Sequence, residues 1–122
     1  MNAQIIAACE AFSRGEPTAA LDFIADSIEW HIVGDRIIDG NAAVKEMCED
    51  AASEGKANFQ NGRVIKGKKH IIVEGADLET DVHYCDIYTI EKGQIMEITS
   101  YCLAGIESVS YTHLRAHETD LN

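Results

Sequence analysis

Basic residues are scarce in this chain: 10 Lys and Arg stand against 21 Asp and Glu, a formal net charge of −11 over 122 residues. Nucleic acid is gripped by clustered Lys and Arg, so the balance excludes it as a partner, and anionic membrane surfaces with it. Lys66, Lys68 and Lys69 form the one basic cluster and read as the flank of a hairpin. Long apolar runs are missing too; none approaches the length of a bilayer span. The stretch from Met1 to Arg14 lacks a basic leader and carries Glu10 among its apolar residues, which is not the pattern of an export signal. There is no C-x-x-C pair. Cys9, Cys48, Cys85 and Cys102 each sit in a periodic apolar segment and are expected as free thiols in a reducing cytoplasm. Cys/His spacing of the zinc-finger kind is lacking, as are a Gly-rich phosphate loop, a nucleophile elbow and H-E-x-x-H. The expectation is therefore a protein with no metal and no cofactor.

What remains is ordinary globular material, 46% hydrophobic and 25% charged, enough for one domain with a core that needs no staples. Ile5, Ile6, Cys9 and Phe12 fall at helical spacing and Gly15 follows as a stop. Pro17, the single proline, opens a second short helix in which Leu21 and Ile24 make the apolar stripe. From Ser27 to Val33 the period changes to two, with Ile28, Trp30 and Ile32 on one face and Glu29, His31 and Val33 on the other. After Gly34-Asp35 and Arg36-Ile37-Ile38, the turn Asp39-Gly40 leads to Asn41, an expected N-cap. The third helix follows, with Val44, Met47, Cys48 and Ala51 on its apolar face and Gly55 as its terminator.

The second half reads as strand. Arg63–Ile65 and His70–Glu74 flank a lysine-rich turn, and a further turn near Gly75-Ala76-Asp77 precedes the longest strand, Asp81–Ile90. A hairpin centred on Lys92-Gly93 returns through Ile95–Leu103. That register sets Ile90 opposite Ile95, Asp86 opposite Thr99 and Tyr84 opposite Tyr101. Helices first and antiparallel strands afterwards imply an α+β fold.

Beyond Gly105 the pattern breaks. Ser108-Val109-Ser110-Tyr111-Thr112-His113-Leu114-Arg115-Ala116-His117-Glu118-Thr119 resembles a translated sequencing-library adapter of the kind that contaminates environmental DNA reading frames. Residues 1–107 are read as the domain and 108–122 as a non-native tail, left out of functional reasoning.

Ile28-Glu29-Trp30-His31-Ile32-Val33-Gly34-Asp35 with Ile38-Asp39-Gly40-Asn41-Ala42 resembles the signature of SnoaL-like small proteins. So does Tyr84-Cys85-Asp86-Ile87-Tyr88, running through Gly93-Gln94-Ile95 to Ile98-Thr99-Ser100-Tyr101. The order of elements over residues 3–104 is similar to that of the nuclear transport factor 2-like superfamily. The resemblance implies a cone-shaped barrel, a curved antiparallel sheet wrapped around N-terminal helices with an apolar cavity at its open end. It also implies a homodimer formed through the outer sheet face. Superfamily members include cyclases, isomerases, epoxide hydrolases, dehydratases and non-catalytic modules, so fold alone does not choose among them.

Asp86 is the leading candidate for chemistry. An aspartate between Cys85 and Ile87 in mid-strand opposes β propensity and is costly to bury. A carboxylate among phenols in an apolar cone suits a general base or a protonated donor. Tyr84 and Tyr101 are expected to polarise an oxygen, Asp35 to serve as a second carboxylate or a turn cap, and Trp30, Tyr88 and Thr99 to contact the ligand. Such a site takes a small apolar or carbonyl-bearing molecule. The alternative is that Asp86 lies on the outer face, in a binding or dimerisation module without catalysis. The Asp–Arg–Asp arrangement of the superfamily's epoxide hydrolases is not expected, since Arg14, Arg36 and Arg63 lie off the strands that carry Asp86.

Overall fold

A computed structural model describes residues 1–54 and 58–104; the expected stop at Gly55 and the 108–122 tail lie outside the described residues. The chain runs α1 (Ala3–Ser13), α2 (Thr18–Leu21), β1 (Ile24–Ile32), β2 (Arg36–Asp39), α3 (Asn41–Ser53), β3 (Phe59–Lys66), β4 (His70–Asp77), β5 (Val82–Glu91) and β6 (Gln94–Ala104). The six strands form one curled, unclosed sheet in the order β2-β1-β6-β5-β4-β3. Every neighbouring pair is antiparallel except β1 with β6, which is parallel, so the sheet is mixed at that one seam.

Helix α1 begins where the Asn2 side chain accepts the Gln4 amide at 2.6 Å. It ends at Gly15, whose φ of 87° turns the chain so that the Glu16 amide reaches back to the Ala11 carbonyl at 2.9 Å. The face expected from spacing is the one buried: Ile5, Cys9 and Phe12 pack with Ile28, Ile71, Val73, Tyr88 and Ile98 of the sheet. Helix α3 adds Val44 and Cys48 to the same core. No helix among the described residues is long and apolar enough to cross a membrane.

Four local expectations are corrected. Ile24 belongs to β1, not to the second helix, which is a single turn. Gly40, at φ 93°, is the cap of α3, while Asn41 is helical and donates its side-chain amide to the Ile24 carbonyl, tying the helix to β1. The turn expected at Gly75–Asp77 is strand, because β4 continues through Asp77, and β6 rather than β5 is the longest strand.

The register of the β5–β6 hairpin carries the largest consequence. Ile90 does face Ile95, but the ladder shifts between Thr89 and Ile90. Asp86 therefore pairs with Ser100, not Thr99, and Tyr84 with Cys102, not Tyr101. One extra residue in a strand moves everything beyond it to the opposite face.

Candidate active site

Strand β5 alternates cleanly, turning Tyr84, Asp86, Tyr88 and Ile90 inward to burial. Asp86 is 7% exposed and sits between two hydroxyls. Ser100, its partner across the ladder, and Ser13, the last residue of α1, both hydrogen-bond its carboxyl. Behind them the network continues: Trp30 Nε1 donates to Ser100 Oγ at 2.8 Å, and Ser13 Oγ lies 2.6 Å from the Tyr88 hydroxyl. A hydroxyl has one proton to give. With both serines donating to an ionised Asp86, the Tyr88 hydroxyl is the donor to Ser13. Every proton in the chain then points toward one carboxylate.

Burial pushes the Asp86 carboxyl above its ordinary range, and the Ser100 and Ser13 hydrogen bonds pull the other way without cancelling it. This has a sign that can be checked. Between the ordinary carboxylate value and the raised one, the native state holds a proton that the unfolded state has released, so this group's contribution to stability falls as pH rises and is level above. Asp86→Asn lacks that loss. Its stability relative to wild type is expected to grow through that window and then hold constant, read from chemical denaturation across a pH series; a constant difference from acid to neutral pH contradicts the burial described.

The cavity in front of Asp86 has a volume of about 310 Å³, at the lower end of small-molecule sites. Trp30 and Phe12 form one wall, in an edge contact with centroids 5.2 Å apart, and Phe59 with Tyr84 forms another at 5.5 Å. Met47, Cys48, Ala51 and Ala52 of α3 close the third side. A broader groove of about 690 Å³ lies on the outer face between Gly75, His83, Tyr101 and Leu103. It is open, and its carboxylate, Glu74, is paired with Arg63 at 2.7 Å, so the smaller cavity is the better candidate.

Tyr84 is held by an arrangement that spacing does not reveal. Its ring crosses β4 above Gly75, its cross-strand neighbour, and its hydroxyl donates to Asn61 Oδ1 on β3 at 2.7 Å. Asn61 in turn donates to the Glu10 carbonyl of α1 at 2.8 Å. Burial, then the charge of Asp86, raises the Tyr84 phenol to about 12, against a smaller lowering by Arg14.

Of the expected site residues, Asp86, Tyr84 and Trp30 line the cavity together. Tyr88 does not reach the wall; it is fully buried behind it and acts through Ser13. Thr99 and Tyr101 point outward, as the register shift requires, and Tyr101 is 48% exposed. Asp35 lies in the exposed β1–β2 turn, 3.4 Å from the Arg36 guanidinium and off the cavity lining. Ser13, Ser100, Phe59 and Asn61 were not anticipated. Parity along β6 would have found Ser100 had the bulge been known, whereas Ser13 lies beside Phe12 with no periodic signal of its own.

Among the described residues, no group of three His, Cys, Asp or Glu is placed to hold a metal. Burial raises the Cys9 thiol to about 12 and the Cys48 thiol to about 11. In the native protein both are expected to resist a disulfide reagent that modifies exposed Cys102; rapid native labelling of Cys9, read by peptide mass, contradicts the packing of α1.

The family model of the SnoaL-like domain matches residues 5–98. A nuclear transport factor 2-like protein of unknown function from Cytophaga hutchinsonii is 34% identical, with 84% of this chain and 100% of that one covered at a TM-score of 0.73. A Catenulispora acidiphila protein with a ketosteroid isomerase-like fold, solved in complex with trimethylamine, is 12% identical at a TM-score of 0.61, covering 83% of this chain and 86% of that one. An LEH-like epoxide hydrolase of M. tuberculosis is 18% identical at a TM-score of 0.61, covering 82% and 83%. The last two likenesses show the fold alone. No curated protein matches the chain.

Proposed function

We propose, from the premise that this chain belongs to the SnoaL-like family, that its cavity binds a small, mainly apolar molecule on which Asp86 moves a proton without a cofactor. The observation that supports this is a single buried carboxylate at the head of an apolar cavity, oriented by two serines and raised in pKa by burial. A base of that kind suits a proton made acidic by a neighbouring carbonyl, and the reaction classes are isomerisation, cyclisation or dehydration. Trp30 and Phe12 serve as walls. Tyr84 is the phenol of the cavity and would donate to a ligand oxygen only by giving up its bond to Asn61. The test is turnover: Asp86→Asn loses it for every substrate the wild type accepts, and a variant that retains it overturns the reading.

A second reading, a binding module without catalysis, is favoured by one specific observation. The side-chain O–H and N–H donors of the lining are already engaged: Trp30 with Ser100, Ser13 and Ser100 with Asp86, and Tyr84 with Asn61. Stabilising a developing oxyanion requires donors aimed at it. Wild type that binds ligands and turns none over decides for this reading. The homodimer is a proposal supported by exposed Leu78, Tyr101 and Leu103 beside the outer groove, and a cytoplasmic location is a proposal supported by four unpaired thiols.

A further inference from the structure

The electrostatics of the cavity are one-sided. Among the described residues, no Lys, Arg or His lines it, and Asp86 is the one formally charged side chain of the lining. Among the described residues, a neutral carbonyl oxygen entering it meets no uncommitted side-chain hydroxyl or N–H donor, only the weak donors Cys48 and Cys102. Two helices bring their C-terminal turns to its rim, α1 through Phe12 and Ser13 and α3 through Ala51 and Ala52. A helix C-terminus carries about half a negative charge, and neither helix has a basic residue in its last turn to offset it. Four aromatic rings, Phe12, Trp30, Phe59 and Tyr84, complete the walls, and ring faces attract cations. Arg14 is the fixed cation felt at Tyr84, but it is half exposed to water and paired with Glu16 at 3.0 Å.

Carboxylate, helix ends and rings all favour positive charge, and the net charge of −11 draws it in. The apolar walls offer a hydrated metal ion nothing in exchange for its water, and no metal-ligand cluster stands among the described residues. Resting on the reading that this cavity is the ligand site, we infer that it selects a small organic cation, an alkylammonium group whose apolar substituents lie against the rings while Asp86 serves as counter-ion. The charge of the ligand, not a carbonyl, is then the feature recognised first.

Calorimetric titration in mildly alkaline buffer of low ionic strength tests this with two probes of one shape. These are choline and its neutral isostere, in which a tert-butyl group replaces the trimethylammonium. Choline is expected to bind about tenfold more tightly. In Asp86→Asn, checked for folding by circular dichroism, the preference falls below about threefold. Phe59→Leu, which keeps the wall apolar but removes a ring, weakens choline more than the isostere and serves where the Asp86 variant fails to fold. An isostere that binds as tightly as choline overturns the inference and leaves the cavity standing as a ligand site. A preference undiminished in both variants overturns it as well. Failure of both probes to bind overturns it together with the cavity reading, a result distinguishable from the others by a flat titration of wild type.

Discussion

Asp86→Asn is expected to lower turnover of any accepted substrate by about 10²–10⁴-fold, the usual worth of a positioned general base. The amide has the shape of the carboxylate, and its oxygen can accept from one serine while its NH2 donates to the other, so the walls of the cavity stay where they are. What it loses is the ability to take up a proton. For a neutral substrate KM should move little, because the apolar walls that would bind it are untouched, and the loss should fall on kcat. The same substitution removes a charge that burial opposes, so the variant is expected to be inactive and firmer at once. A variant that is inactive and unstable would point instead to a structural role for the aspartate.

Gly75→Ala is expected to destabilise the fold by about 3 kcal/mol, at the upper end of what overpacking costs. A methyl group usually helps a strand by restricting the unfolded chain, by about 0.4–1 kcal/mol. Here it has nowhere to go: a β-carbon at Gly75 runs into the Tyr84 hydroxyl and the Gln60 carbonyl. The phenol can be removed and the carbonyl cannot. Tyr84→Leu combined with Gly75→Ala is therefore expected to recover only part of the loss, read from urea midpoints at constant slope. Full recovery would show that the backbone of β3 yields, and no loss in the single variant would show that Tyr84 does not lie across β4 as described.

The residues that reveal this fold in the sequence are those with strict periods. Ile5, Cys9 and Phe12 name the buried face of α1, Ile28, Trp30 and Ile32 that of β1, and alternation through Tyr84, Asp86 and Tyr88 sets the aspartate on one face with two phenols. Asp86 stood out because a charged residue in the middle of an apolar strand contradicts its surroundings, while alternation alone left open which face of the sheet carries it. Its partners did not stand out. One irregularity between Thr89 and Ile90 exchanges Thr99 and Tyr101 for Ser100 and Cys102 on the inner face, and Lys92-Gly93 carries no trace of it. Ser13 and Asn61 reach the site through tertiary packing, and Phe59 through its place on a strand whose start the pattern did not mark. Period shows which way a side chain points; what it meets there depends on how separate elements dock.

The position of Ser13 has a further consequence. The final turn of α1 is anchored to the sheet by the hydroxyl that also orients Asp86, with Tyr88 as the other end of the tether. Fraying of that turn and disassembly of the polar centre are then one event, and amide exchange along Phe12 and Ser13 should report on both. Whatever occupies the hollow slows that exchange by mass action, so the end of a helix becomes the gauge of whether the hollow is filled.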